Sequence, residues 1–146
     1  MRRSTLLVVG SWYTIGLCLG IGLGVGVMVT GIFGSSVLGV GAAAIAGAVI
    51  GAGIGVAIGD AAEVIAGGIG GFLGALSAAA VVHGALRRGG TRLGVAAFLG
   101  IIGALICFAA LIPVAGYVEA VTIPVLAARM RGRQAARFAG LRTLAK

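Results

Sequence analysis

Residues 39–59 read GVGAAAIAGAVIGAGIGVAIG. Small residues fall at every fourth position, at Gly39, Ala43, Gly47, Gly51, Gly55 and Gly59. Positions four apart share one face of a helix, so this stretch forms a groove almost free of side chains. Inside a water-soluble helix each glycine costs about 1 kcal/mol relative to alanine. Such a density therefore needs an environment in which bare backbone is useful. Lipid is one, because small residues there let helix backbones approach and pack by van der Waals contact. The spacing recurs at Gly67, Gly71, Ala75 and Ala79, and earlier at Gly16, Gly20 and Gly24, with a second row at Gly22 and Gly26. Gly16, Gly20, Gly24, Gly47, Gly51, Gly55, Gly59, Gly67 and Gly71 are accordingly the helix-packing candidates.

The composition agrees. Of 146 residues, 60% are hydrophobic, 29 are glycine and only 10% are charged, against about a quarter charged in soluble domains. The mean hydropathy is +1.22. The expected fold is an all-α integral membrane protein, with about four transmembrane helices in a tightly packed bundle rich in glycine zippers and a short basic C-terminal tail. The net charge of +8 does not point to nucleic acid. The basic residues flank apolar spans: Arg2 and Arg3, then Arg87, Arg88 and Arg92, then six between 129 and 146. Such residues set orientation and meet anionic lipid, so Arg129, Arg131, Arg133 and Arg137 are candidate lipid-headgroup contacts. The bilayer is one expected partner. A second copy of the chain or a larger membrane subunit is another.

The chain divides into a transmembrane domain over 1–128 and a basic tail over 131–146. Spans are expected at 12–33, 37–58, 61–86 and 93–113, with an interfacial segment at 117–130. The first apolar run exceeds a signal-peptide core of roughly 7–15 residues and lacks an A-x-A cleavage site, so a retained helix is the better reading. Trp12 and Tyr13 mark the headgroup level or pack on a neighbouring helix. The apolar pattern from 37 to 86 is too long for one crossing. Gly59 is suited to end a helix, and Asp60 followed by Glu63 resembles a capping box. The rival break is the glycine run at 67–71, which would leave both acids inside a longer helix. Pro113 and Pro124 interrupt the last apolar stretch, and the segment after the break either lies along the interface or packs back on the bundle.

Four spans put both termini on one side. The positive-inside rule makes that side the cytoplasm, with eight basic residues, in a cytoplasmic (inner) membrane. The loop at 87–92 then faces outward with three arginines, which strains the scheme.

Chemistry-bearing residues are few. Asp60, Glu63, His83 and Glu119 are candidates for an ion or proton site, since ionisable groups in spans are costly and functional by default. Helix capping competes for Asp60 and Glu63, an interfacial or interhelical hydrogen bond for His83, and an ion pair with a tail arginine for Glu119. GAGIGVAIG resembles the glycine-repeat helix of the proton-translocating ring subunit of rotary ATPases, and YVEAVTIP resembles its carboxylate segment around Glu119. Here the two stand more than one helical hairpin apart, two extra spans are present and that family's polar loop is missing, so no function is carried over. Cys18 and Cys107 lie in apolar spans as small hydrophobes. Neither cysteine nor histidine has metal-ligand spacing, and the serines lack His/Asp partners. No enzyme, metal or cofactor is expected. The leading expectation is a structural or assembly role through small-residue helix faces. The alternative is a channel or transporter component that uses membrane-embedded carboxylates.

Overall fold

The computed structural model describes the backbone of residues 2–112 and 114–142 and the side chains of 11–112 and 114–132. Five helices follow one another: α1 (Arg2–Phe33), α2 (Val37–Ile58), α3 (Ala61–Arg87), α4 (Arg92–Ala109) and α5 (Ala115–Arg142). Among the described residues there is no strand. Four helices, covering Ser11–Phe33, Val37–Ile58, Ala61–Arg87 and Arg92–Ala109, are long and apolar enough to cross a membrane. The protein is an all-α membrane bundle.

Local chemistry sets the breaks. Ser36 caps α2, its hydroxyl oxygen accepting the Gly39 N–H at 3.0 Å. The next break falls at Gly59–Asp60, and the glycine run at 67–71 lies within α3, where its bare backbone serves packing. Thr91 caps α4 through the Gly94 N–H at 3.2 Å. The turn after α4 carries Val114 at φ 74°, a conformation that costs a β-branched residue on the order of 1–3 kcal/mol.

Two packing regimes divide the bundle. In the first, α1, α2 and α3 meet backbone to backbone. A methyl group at Gly51 would fall on the Gly67 carbonyl oxygen and within 3.3 Å of the Gly22 Cα. One turn along, a methyl at Gly47 would lie 2.8 Å from the Gly71 oxygen and 3.1 Å from the Gly26 Cα. Gly22, Gly51 and Gly67 thus form one three-helix layer, and Gly26, Gly47 and Gly71 a second. The buried residues of α2 are Ala43, Ala44, Gly47, Gly51 and Gly55. Thr30 ties α1 to α3 within this contact, its buried hydroxyl donating to the Gly26 oxygen at 2.9 Å and the Ala75 oxygen at 3.2 Å. In the second regime larger side chains fill the space between α1, α3 and α4: Leu23, Val27, Ala78, Val82, Val95 and Leu99, with Ile102, Ile106 and Ile123 against them.

Of the two courses open to the segment after the break, α5 takes the second. It packs back on the bundle, along α1 and α3. Gly116 sits against the Gly16 oxygen, the Tyr117 hydroxyl donates to the Trp12 oxygen at 2.7 Å, and the Arg131 guanidinium donates to the Leu76 oxygen at 2.6 Å. The glycine contact at 16 and 116 lets two backbones meet, which an interfacial helix would not use. α1, α3 and α5 therefore run in the same direction, with α2 and α4 against them. Ser11 lies at one end of the bundle, and Arg131, lining a cavity with Arg87, at the other.

The two packing environments predict opposite effects for two neighbouring glycines. Gly51→Ala forces a methyl onto backbone and should lower stability by about 1–3 kcal/mol. Gly53 has nothing within 4 Å, so Gly53→Ala should leave stability unchanged or raise it by up to about 1 kcal/mol. Thermal unfolding in mild detergent, followed by circular dichroism, measures both; equal losses would contradict the packing described.

Candidate functional site

Asp60 and Glu63 lie at one end of the bundle, and His83, Arg87 and Arg131 at the other. At the end holding Ser11, Asp60 precedes α3 and Glu63 lies in its first turn. The Glu63 carboxylate accepts the Asp60 N–H on Oε2 at 3.0 Å, the return half of a capping box. Its Oε1 accepts the Thr14 hydroxyl of α1 at 2.6 Å. Glu63 is only 6% exposed, and Gly59 leaves room for it, since a methyl there would lie 2.8 Å from the Glu63 Cδ. One carboxylate thus caps α3 and fastens it to α1. Both of its oxygens have protein donors, a structural arrangement for a buried acid. Thr14 was not among the sequence candidates. Its one signal is a hydroxyl within an apolar helix.

Glu119 is different. It lies on α5 against the middle of α1, its Oε2 3.1 Å from where a side chain on Gly20 would begin. That oxygen is buried and has no hydrogen-bond partner. Ala110 and Gly116 press on the same Gly20 position. One turn on, the Cys107 thiol contacts the Ile21 oxygen at 3.6 Å. The expected ion pair with a tail arginine is not made by Arg129 or Arg131, which lie ten or more residues, about 15 Å, further along α5. Arg131 instead donates to Leu76.

At the opposite end, His83 of α3 lines a cavity of about 230 Å³ with Ala80, Gly84, Arg87 and Arg131. Arg88 donates to the Gly84 oxygen at 3.2 Å. Arg129 is exposed. The side chains of Arg133 and Arg137 lie outside the described residues. The structure therefore brings Asp60 to Glu63 and His83 to Arg131, and leaves Glu119 apart from both pairs.

The nine glycine candidates all meet neighbours at close range. Gly16 faces the Tyr117 ring, Gly20 the start of α5, and Gly24 the Gly103 oxygen and the Cys107 sulfur. Gly47 faces Gly71, Gly51 faces Gly67, and Gly55 meets the backbone of Glu63 and Val64. Gly59 meets the Glu63 side chain. The two rows read on α1 have separate uses: Gly22 and Gly26 face α2 and α3, while Gly16, Gly20 and Gly24 face α4 and α5. Tyr13 adds a clasp at the acidic end, its hydroxyl donating to the Leu111 oxygen at 3.0 Å.

Comparison of the chain with known protein families, curated proteins and solved structures finds no match.

Thr14→Val removes the donor to a buried carboxylate oxygen and should destabilise the protein by about 1–3 kcal/mol. Glu63→Gln keeps a capping side chain at the same helix position and should cost less. Thermal unfolding of the two variants in detergent ranks them; the reverse order would show that Thr14 does not hold α3 to α1.

Proposed function

We propose that this small polytopic membrane protein has a structural or assembly role, docking other transmembrane helices, or a second copy, on faces its own fold leaves open. The distribution of helical glycines carries this reading. Those between α1, α2 and α3 are consumed within the protomer. Gly41 and Gly53 on α2 and Gly100 on α4 have nothing within 4 Å. A helical glycine costs stability unless its bare backbone is used, and a neighbouring helix is the use that lipid offers. Large apolar residues surround these positions, with Ile45 68% and Ile101 64% exposed.

We propose an orientation in which α5 counts as a fifth crossing. Arg87, Arg88, Arg92, Arg129 and Arg131 belong to one end, Arg2 and Arg3 to the other. With α5 counted as a crossing, the positive-inside rule puts the arginine-rich end in the cytoplasm and the N-terminus outside. The loop at 87–92 then joins the tail on one side, which removes the strain of the four-span scheme.

A second reading rests on Glu119, whose buried, unpartnered oxygen is a candidate cation or proton ligand deep in the bundle. It makes the protein a channel or transporter component.

Under the assembly reading, Gly41→Leu with Gly53→Leu should convert the detergent-solubilised protein from oligomer, or complex with a partner, to isolated protomer without loss of helicity. Size-exclusion chromatography with light scattering reads the change; an unaltered mass would sink the proposal. Under the second reading, liposome proton or cation flux should fall to background in Glu119→Gln. Flux equal to wild type, or absent from both, would count against it.

A further inference from the structure

Toward the arginine-rich end, space remains between helices α3 and α5. Two cavities share Arg131. One, of about 230 Å³, is lined by Ala80, His83, Gly84, Arg87 and Arg131. The other, of about 310 Å³, runs from Arg131 toward the middle of the bundle between Leu73, Leu76 and Ser77 of α3 and Pro124, Ala127 and Ala128 of α5. The first is several times the ~30 Å³ share of a water molecule. The second is walled largely by carbon. Pro124 lies inside α5 and has no N–H to donate, so its ring adds apolar surface to the groove.

The charges around the first cavity are of one sign. Arg87 and Arg131 are permanent cations, and His83 offers a ring N–H donor in either charge state. The chain has three acidic side chains in all. Asp60 and Glu63 are at the far end, and Glu119 faces Gly20. No carboxylate side chain is therefore available to neutralise this cluster. The bond from Arg131 to the Leu76 oxygen uses one of five guanidinium donors and fixes the group in place, leaving the others for a ligand. Two cations that line one cavity without a counter-charge favour an anion between them. Phosphate suits a guanidinium because it can accept paired hydrogen bonds.

From this juxtaposition we infer that the protein binds an anionic phospholipid between α3 and α5. Its phosphate lies among His83, Arg87 and Arg131, and an acyl chain lies along the groove of Leu73, Leu76, Pro124 and Ala128. The polar cavity opens at the end of α3, where headgroups lie, and the groove continues into the apolar depth of the same two helices. This continuity selects a bilayer lipid over a soluble phosphate. Basic pockets between transmembrane helices on the cytoplasmic side are the usual seat of such headgroups, which agrees with the orientation proposed above. The site itself does not depend on the assembly role.

The test is lipid retention by the purified full-length protein. Samples are exchanged into detergent with equal phosphatidylglycerol and phosphatidylcholine, and the bound lipid is read by native mass spectrometry. Wild type should retain phosphatidylglycerol in preference. The double variant Arg87→Gln/Arg131→Gln should lose that preference by about tenfold or more. Arg88→Gln/Arg92→Gln removes the same charge from the same end outside the cavity and should keep it. Circular dichroism checks folding, and Arg87→Gln alone, at an exposed helix end, replaces the double variant if that one unfolds. Equal retention of both lipids by wild type, or equal loss in both double variants, would overturn the site. So would displacement of the lipid by inorganic phosphate, which would identify a soluble anion as the occupant.

Discussion

Contact between bare backbones at Gly22, Gly51 and Gly67, repeated at Gly26, Gly47 and Gly71, is the constraint on which the rest of the structure depends. No side chain larger than hydrogen fits these positions, so three helices meet at a separation that ordinary residues would prevent. In lipid, where apolar side chains gain nothing by leaving one another's company for the acyl chains, such close van der Waals contact is a main source of helix association. The Thr30 bonds to Gly26 and Ala75 fall beside the second layer and fix its register. Once α1 and α3 lie side by side in the same direction, the remaining face of α1 can receive α4 and α5 through Gly16, Gly20 and Gly24. A helix with glycines on two faces thus becomes the hub of the bundle.

Much of this was legible from spacing alone. The four-residue rows marked the faces that are buried on α2 and α3, and the two offset rows on α1 correspond to two sets of partners. The pair Asp60 and Glu63 marked a helix start because capping is local chemistry, decided within four residues. The course of α5 was not legible. Its apolar part is short, Glu119 interrupts it, and the arginines that follow lower the average of the whole helix, so an interfacial course and a return onto the bundle both stay open. What places it along α1 is a pairing of Gly16 with Gly116 across a hundred residues, and no periodicity records such a pairing. Thr14 escaped for the same reason, since its meaning depends on Glu63, 49 residues away.

The ionisable residues show how one bundle assigns different tasks to similar groups. Glu63 is buried yet bonded on both oxygens, and it acts as a bolt between helices. Glu119 is half-buried, with its Oε2 buried and unbonded against α1, and so stands out as a group with unused chemical capacity. His83, Arg87 and Arg131 gather where no acidic side chain can answer them. That arrangement is costly in a protein that meets only neutral surroundings. It is favourable in one that faces anionic headgroups, where each basic residue contributes about 1 kcal/mol of attraction. Asp60 and Glu63 lie at one end of the bundle and Arg87, Arg88 and Arg131 at the other, with Glu119 between them.

Cysteine accessibility in intact cells tests the parallel arrangement of α1, α3 and α5 most directly. Single cysteines are introduced by Ser11→Cys, Arg88→Cys and Gly132→Cys in a background with Cys18 and Cys107 replaced by alanine, and are probed with a membrane-impermeant maleimide. Ser11→Cys should label from outside, while Arg88→Cys and Gly132→Cys should label only after the membrane is permeabilised. Labelling of Ser11→Cys and Gly132→Cys from the same side, opposite to Arg88→Cys, would contradict the parallel course of α1 and α5.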